Sequence, residues 1–222
     1  MLLALDTSTR TIGVALYDGL RVLGEMVWTS DGFHTVELAP AVADSLARAG
    51  LQMKDLQALA VATGPGSFTG LRIGMALGKG MALARRLPLV GVRTLDVLAA
   101  AQPLQEIPMV ALLQVGRGRL AAGWYEASSE AWKPTGEMDV VTAQALAERI
   151  HKPTVVCGEM SAEERRILSR LRKNVVMASP ANSLRRPSFL AELAWQRWQA
   201  GEMDDPASLS PFYLQQKDQI PG

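Results

Sequence analysis

The chain has 222 residues, enough for one large domain or two of about 110 residues each. Its 48% hydrophobic content and mean hydropathy of +0.08 exclude an extended disordered chain. Its 23 basic residues balance 22 acidic ones, which excludes nucleic-acid binding driven by bulk charge and leaves room only for a local patch.

The single cysteine, Cys157, rules out an intramolecular disulfide and fits a reducing compartment. It ends the apolar run Thr154-Val155-Val156-Cys157 and reads as a small buried hydrophobe. Residues 1–5 are apolar, but Asp6 arrives too early for a signal-peptide core. No uncharged run approaches the roughly 18 residues needed to span a bilayer. A soluble, cytoplasmic protein without membrane contact is expected.

In chain order, residues 2–5, 11–17 and 21–29 read as three strands, the last two joined by the hairpin signal Asp18-Gly19. Residues 35–49 have helical spacing, with Val36, Ala39, Val42, Ala43, Leu46 and Ala49 on one side. Gly50 is the stop, and Pro40 belongs in or near the first turn. A strand (58–62), a Gly/Pro loop (64–67), a long helix (68–86) and a strand (89–92) follow. This order predicts a mixed sheet in an α/β domain.

Gln102-Pro103 and Glu106-Ile107-Pro108 break the pattern, which places a boundary near 101–108 between a half of residues 1–104 and a smaller one of residues 105–222. In the second, strands at 109–115 and 120–126 precede a helix (142–151) and a strand (154–157). The next helix opens on the capping box Ser161-x-x-Glu164. A last helix, 189–200, is set up to pack back on the first half, and residues 205–214 read as an ordered but irregular tail.

Two segments carry chemistry. Asp6-Thr7-Ser8-Thr9 ends the first strand; an acid followed by hydroxyls at a tight turn suits a metal-bound phosphate, and equally suits a turn that satisfies its own backbone. Gly64-Pro65-Gly66-Ser67-Phe68-Thr69-Gly70 runs from strand into helix, where amides and the helix dipole favour an anion. No Gly-Lys-Ser/Thr closes it, so it is not a Walker loop, and a plain capped turn is the other reading. Asp6, Thr7, Ser8, Thr9, Gly64, Gly66 and Ser67 are thus the candidate, vestigial nucleotide site.

The helix behind that loop repeats glycine at Gly70, Gly74 and Gly78. Each interior glycine costs roughly 0.5–1 kcal/mol against alanine, so a stripe of them needs a compensating close approach. Gly70, Leu71, Gly74, Met75, Gly78 and Ala82, with Val36, Ala39, Val42, Ala43 and Leu46, are the expected dimer surface.

These segments resemble the TsaB (YeaZ) family. The resemblance rests on Leu3-Ala4-Leu5-Asp6-Thr7-Ser8-Thr9, His34-Thr35-x-x-Leu38-x-Pro40, the run from Gly64 to Gly74, Pro88 to Thr94, and Asp205-Pro206-Ala207-x-Leu209-x-Pro211-x-Tyr213-Leu214. It implies an actin/Hsp70/sugar-kinase-like (ASKHA) fold of two related halves with mixed sheets flanked by helices. It further implies a non-catalytic subunit that binds a TsaD-type catalytic homologue through the helical face of the first half, with a TsaE-type ATPase joining. That assembly threonylcarbamoylates the adenosine beside the anticodon in tRNAs reading codons that begin with adenine. A homodimer in isolation, and only weak or indirect contact with tRNA, are implied as well.

The catalytic relatives hold a metal with two histidines spaced four apart after a Gly-Val-Asn-like strand end. The matching stretch here is Gly91-Val92-Arg93-Thr94-Leu95-Asp96-Val97-Leu98, so Thr94 and Leu98 stand at the ligand positions. Neither suits a metal, and His34 and His151 lack ligand spacing. In the second half, Leu113-Gln114-Val115-Gly116-Arg117 carries Gln114 where relatives often have an acid. No metal site, cofactor or catalytic residue is therefore expected. Arg165, Arg166, Arg170, Arg172 and Lys173 form a basic run, more simply a solvated helix face than a phosphate contact. A small-molecule phosphotransferase of the same fold and a metallopeptidase-like homologue are the competing readings.

Overall fold

The computed structural model describes residues 1–116, 118–171 and 173–214; Arg117 and Arg172 lie outside the described residues. The chain runs β1 (Leu2–Asp6), β2 (Thr11–Tyr17), β3 (Val22–Thr29), α1 (His34–Arg48), β4 (Ala58–Gly64), α2 (Phe68–Arg85), β5 (Leu89–Arg93) and α3 (Thr94–Ala100). It continues through β6 (Met109–Gln114), β7 (Leu120–Ala127), β8 (Trp132–Pro134), β9 (Asp139–Val141), α4 (Ala143–Arg149), β10 (Thr154–Gly158), α5 (Ala162–Ser169), β11 (Val175–Met177) and α6 (Pro187–Gln199).

The first sheet has the order β3-β2-β1-β4-β5, with β1, β2 and β3 antiparallel and β4 and β5 parallel to β1. The Asp18 carboxylate closes the β2–β3 hairpin by accepting the amides of Leu20 and Arg21. Strand β1 is buried on both faces, so its alternation sorts two cores. Leu3 and Leu5 meet Leu38, Val42 and Leu46 of α1 and Met75 and Ala82 of α2. On the other face Leu2 and Ala4, with Ala15, Ala58 and Ala60, meet Leu190, Ala191 and Ala194 of α6. Small side chains on that face let α6 lie close to the sheet.

The second sheet has the order β11-β10-β6-β7-β8, with β9 pairing β7. Helices α4 and α5 cover one of its faces through Leu146 and Leu168. The other face receives α3. Helix α3, absent from the sequence reading, is a short apolar segment between a strand and a loop. It sits between the two sheets, Val97 in the core of the first and Leu95, Leu98 and Ala99 in that of the second.

Most expected elements stand within a residue or two of their positions. The capping box of α5 is formed, with Ser161 Oγ accepting the Glu164 amide and Glu164 Oε2 accepting that of Ser161. Pro40 differs: α1 begins at His34, so the proline lies inside the helix. It is exposed, and the carbonyl it leaves unpaired is that of exposed Val36, on the solvent side. The tail beyond α6 is tied to the edge strand β5, where the Asp204 amide donates to Leu89 O and Asp204 Oδ2 accepts the Gly91 amide, and to the end of β4, where the Phe212 amide donates to Thr63 O. Among the described residues no helix is long and apolar enough to cross a membrane.

Candidate functional site

Strand β1 delivers Asp6 to the end of the first sheet, where its Oδ1 accepts the Ser8 amide at 2.8 Å. The loop from β4 into α2 folds over this turn. The Ser67 amide donates to Ser8 O at 2.6 Å, and Ser67 Oγ caps α2 by accepting the Gly70 amide. The two candidate segments are therefore brought together.

Their polar groups are spent on each other. Thr7 Oγ1 donates to Gly70 O at 2.7 Å, and Ser8 Oγ lies 2.8 Å from Thr94 Oγ1. Thr94 Oγ1 in turn accepts the Gly64 amide at 3.1 Å. The Thr11 amide donates to Thr9 Oγ1, and His34 Nε2 lies 2.8 Å from Thr9 O. Of the loop amides that suited an anion, those of Gly64, Ser67 and Gly70 all have internal acceptors.

The residue that completes the site is one the sequence reading missed. Arg185, in the loop before α6, has its side chain 1% exposed. Its Nε donates to Asp6 Oδ2 at 3.1 Å, and its Nη2 donates to Thr9 Oγ1 and Thr11 O at 2.9 Å each. Its Nη1 stands 3.0 Å from Glu159 Oε1, just past β10, within ion-pair range but off hydrogen-bond geometry. A guanidinium therefore takes up the charge of the acid that, in one of the two readings of this turn, would orient a metal-bound phosphate. Nothing in Ser183-Leu184-Arg185-Arg186 distinguishes this arginine from its neighbour, which pairs with Glu25 near the surface. Only a contact 179 residues away does so.

The glycine stripe faces this turn and the chain's own first sheet. A Cβ on Gly66 would stand 2.3 Å from Ser8 O, one on Gly70 2.2 Å from Thr7 O, and one on Gly74 2.3 Å from Thr7 Oγ1; on Gly78 it would meet Val61 Cγ1 at 2.5 Å. The close approach that compensates the glycines is that of α2 to its own sheet. Gly70, Leu71, Gly74, Met75, Gly78 and Ala82 are buried inside the first half, as are Val42 and Leu46 of α1, which corrects their assignment to a dimer surface. Val36, Ala39 and Ala43 are exposed, in a stripe with Pro40 and Ala47. On the neighbouring α2, Ala76, Gly80 and Leu83 are exposed and Ile73 and Leu77 half-buried.

The other sequence candidates are placed apart. Leu98 is in the core, and among the described residues no group of three or more His, Cys, Asp or Glu side chains is set to hold a metal. Gln114 donates to Glu164 Oε2 at 2.9 Å. Of the basic run only Arg165 and Arg166 lie on α5, which ends at Ser169; Arg165 donates to Ala178 O, while Arg166, and Arg170 and Lys173 beyond the helix, are solvated.

A family model described as TsaD: tRNA N6-adenosine threonylcarbamoyltransferase matches residues 29–155, more than half of the chain. The tRNA threonylcarbamoyladenosine biosynthesis protein TsaB of Bacillus subtilis is 29% identical over 217 residues, 96% of this chain and 93% of that one. A Pseudomonas aeruginosa crystal structure, described as an uncharacterized protein with similarity to peptidase YeaZ, superposes with a TM-score of 0.80 at 26% identity, over 96% of this chain and 99% of that one. The ethanolamine utilization protein EutJ of Carboxydothermus hydrogenoformans shares the fold alone, with a TM-score of 0.52 at 17% identity over 86% of this chain and 88% of that one. The fold is of the actin/Hsp70/sugar-kinase-like type, two mixed sheets flanked by helices.

Proposed function

Since this chain belongs to the TsaB/YeaZ family, we propose that it acts in the biosynthesis of threonylcarbamoyladenosine in tRNA as a non-catalytic partner subunit. Its partner is a TsaD-type catalytic homologue, and a TsaE-type ATPase joins the assembly.

The observation that carries the non-catalytic reading is the seat of Arg185. A phosphotransferase needs its strand-end carboxylate free to orient a cation against phosphate oxygens. Here Asp6 is already neutralised by a buried guanidinium and an amide, and displacing that arginine strands a buried charge. The partner reading rests on the exposed small and apolar residues of α1 and α2: Val36, Ala39, Pro40, Ala43 and Ala47 on the first, Ala76, Gly80 and Leu83 on the second. Small apolar side chains on two touching helices suit the close approach of a third and fourth helix.

Co-purification with the TsaD-type homologue of the same organism tests both parts of the surface argument. Ala43→Arg with Leu83→Glu is expected to weaken the complex by about tenfold or more, while leaving the isolated chain folded. Retained affinity in that variant would remove the surface from the proposal. Titration of the isolated chain with Mg-ATP is expected to give no saturable binding. Micromolar binding with turnover would make it an ATPase in its own right.

A further inference from the structure

Between the two halves, α3, α6 and the β7–β8 hairpin enclose a cavity of about 480 Å³. Its walls carry three carboxylates, Asp96, Glu130 and Glu192, and three aromatic rings, Tyr125, Trp132 and Phe189, and no lysine, arginine or histidine. Among the described residues none of the three carboxylates has an ion-pair partner within 4.0 Å. This contrasts with Asp6, Glu25 and Glu159, each of which has an arginine.

Asp96 is the electrostatically unfinished group. The buried Tyr125 hydroxyl donates to its Oδ1 at 2.7 Å. Burial holds the Asp96 carboxyl above its ordinary range, despite that hydrogen bond and the more distant charges of Arg93 and Arg197. Its side chain lines this cavity and a second one of about 500 Å³ on the β5 side. Arg93 and Arg197 stand on the side of the second cavity, so on the aromatic-walled side this half-buried carboxylate faces rings whose faces attract cations and no positive side chain. The volume is that of a small-molecule site.

We propose that this cavity binds an organic cation: an ammonium or guanidinium group set against Asp96 and Glu192, with a short apolar framework against Trp132 and Phe189. Glu130, exposed on the hairpin, contributes charge at the outer rim.

The probes are n-butylammonium and spermidine, with n-butanol as the uncharged analogue and potassium chloride matching ionic strength. Binding is read by calorimetry and by the indole N–H resonance of Trp132, identified through Trp132→Phe. Either amine is expected to saturate and shift that resonance, with n-butylammonium binding at least about tenfold more tightly than n-butanol. Asp96→Asn is expected to reduce amine affinity by about tenfold or more. If that variant does not fold, Glu130→Gln with Glu192→Gln takes its place, with the same direction. Equal binding of n-butanol overturns the proposal, since the cavity is then merely apolar. Absence of saturable binding up to about 10 mM overturns it. So does a folded Asp96→Asn protein that binds amine unchanged, which leaves Asp96 a purely structural role at the start of α3.

Discussion

Arg185 and Asp6 are 179 residues apart in sequence, and the Nε of one donates to the Oδ2 of the other across 3.1 Å with both side chains shut away from solvent. Asp6 ends a strand of the first sheet and Arg185 stands between β11 of the second sheet and α6, so the pair fixes the passage of the chain from the second sheet back to the first. Removing one partner of a buried ion pair leaves the other uncompensated and costs about 3–5 kcal/mol. Arg185→Met is expected to lose that much in urea denaturation. Combined with Asp6→Asn it should lose less than the two single changes added together, since the second removes the stranded charge. Additive losses would mean that the two groups are not coupled.

Glycines on α2 divide by what lies opposite them. Gly74→Ala places a Cβ 2.3 Å from Thr7 Oγ1, so the helix must lift off the Asp6 turn. A loss of about 1–3 kcal/mol is expected, as for overpacking. Gly80→Ala meets nothing within 4 Å and is expected to gain up to about 1 kcal/mol from helix propensity alone. Thermal unfolding of the two variants should therefore shift in opposite directions.

Burial pushes the Cys157 thiol up to about 12, and its Sγ lies 3.7 Å from Met109 Sδ in the core of the second half. With so little thiolate at pH 8, reaction with a disulfide reagent should be slowed roughly a thousandfold in the native state and become fast once the chain unfolds. Rapid labelling of the folded protein would contradict that placement.

Burial drives Glu25 upward, but hydrogen bonds from Arg186 and Ser188 at the start of α6 outweigh it and hold the carboxyl below its ordinary range. The folded state therefore binds fewer protons than the unfolded chain. Its stabilisation is full at neutral pH and is lost as pH falls from the ordinary glutamate range through the folded value. Glu25→Gln should remove about 0.5–1 kcal/mol at pH 7 and progressively less as pH falls below the ordinary glutamate range, read as the difference between the two unfolding curves.

Local pattern carried much of this structure. Short apolar runs and turn residues marked β1 to β3, and the glycine-rich loop marked the passage from β4 into α2, because each is a property of neighbouring residues. Helix α3 escaped notice because seven residues leave no period to see. The glycine stripe was visible, but which surface it meets was not. Gly74 answers to Thr7 and Gly78 to Val61, contacts that only the assembled sheet creates. Arg185 was hidden for the same reason, since solvated and buried arginines read alike in one dimension. On α1 the spacing put Val36, Ala39, Val42, Ala43 and Leu46 on one side, whereas the folded helix buries Val42 and Leu46 and exposes the other three, since apolar residues that recur this densely do not tell which arc meets the sheet.

Helix α6 lies on the first sheet although it is the last regular element among the described residues, and the tail beyond it borders β5. Leu2, Ala4, Ala58 and Ala60 therefore find their cover only after nearly two hundred residues have been synthesised. During translation the amino-terminal sheet emerges with one oily side bare. A fragment stopped at residue 104 keeps that side naked to water, and self-association is its expected fate.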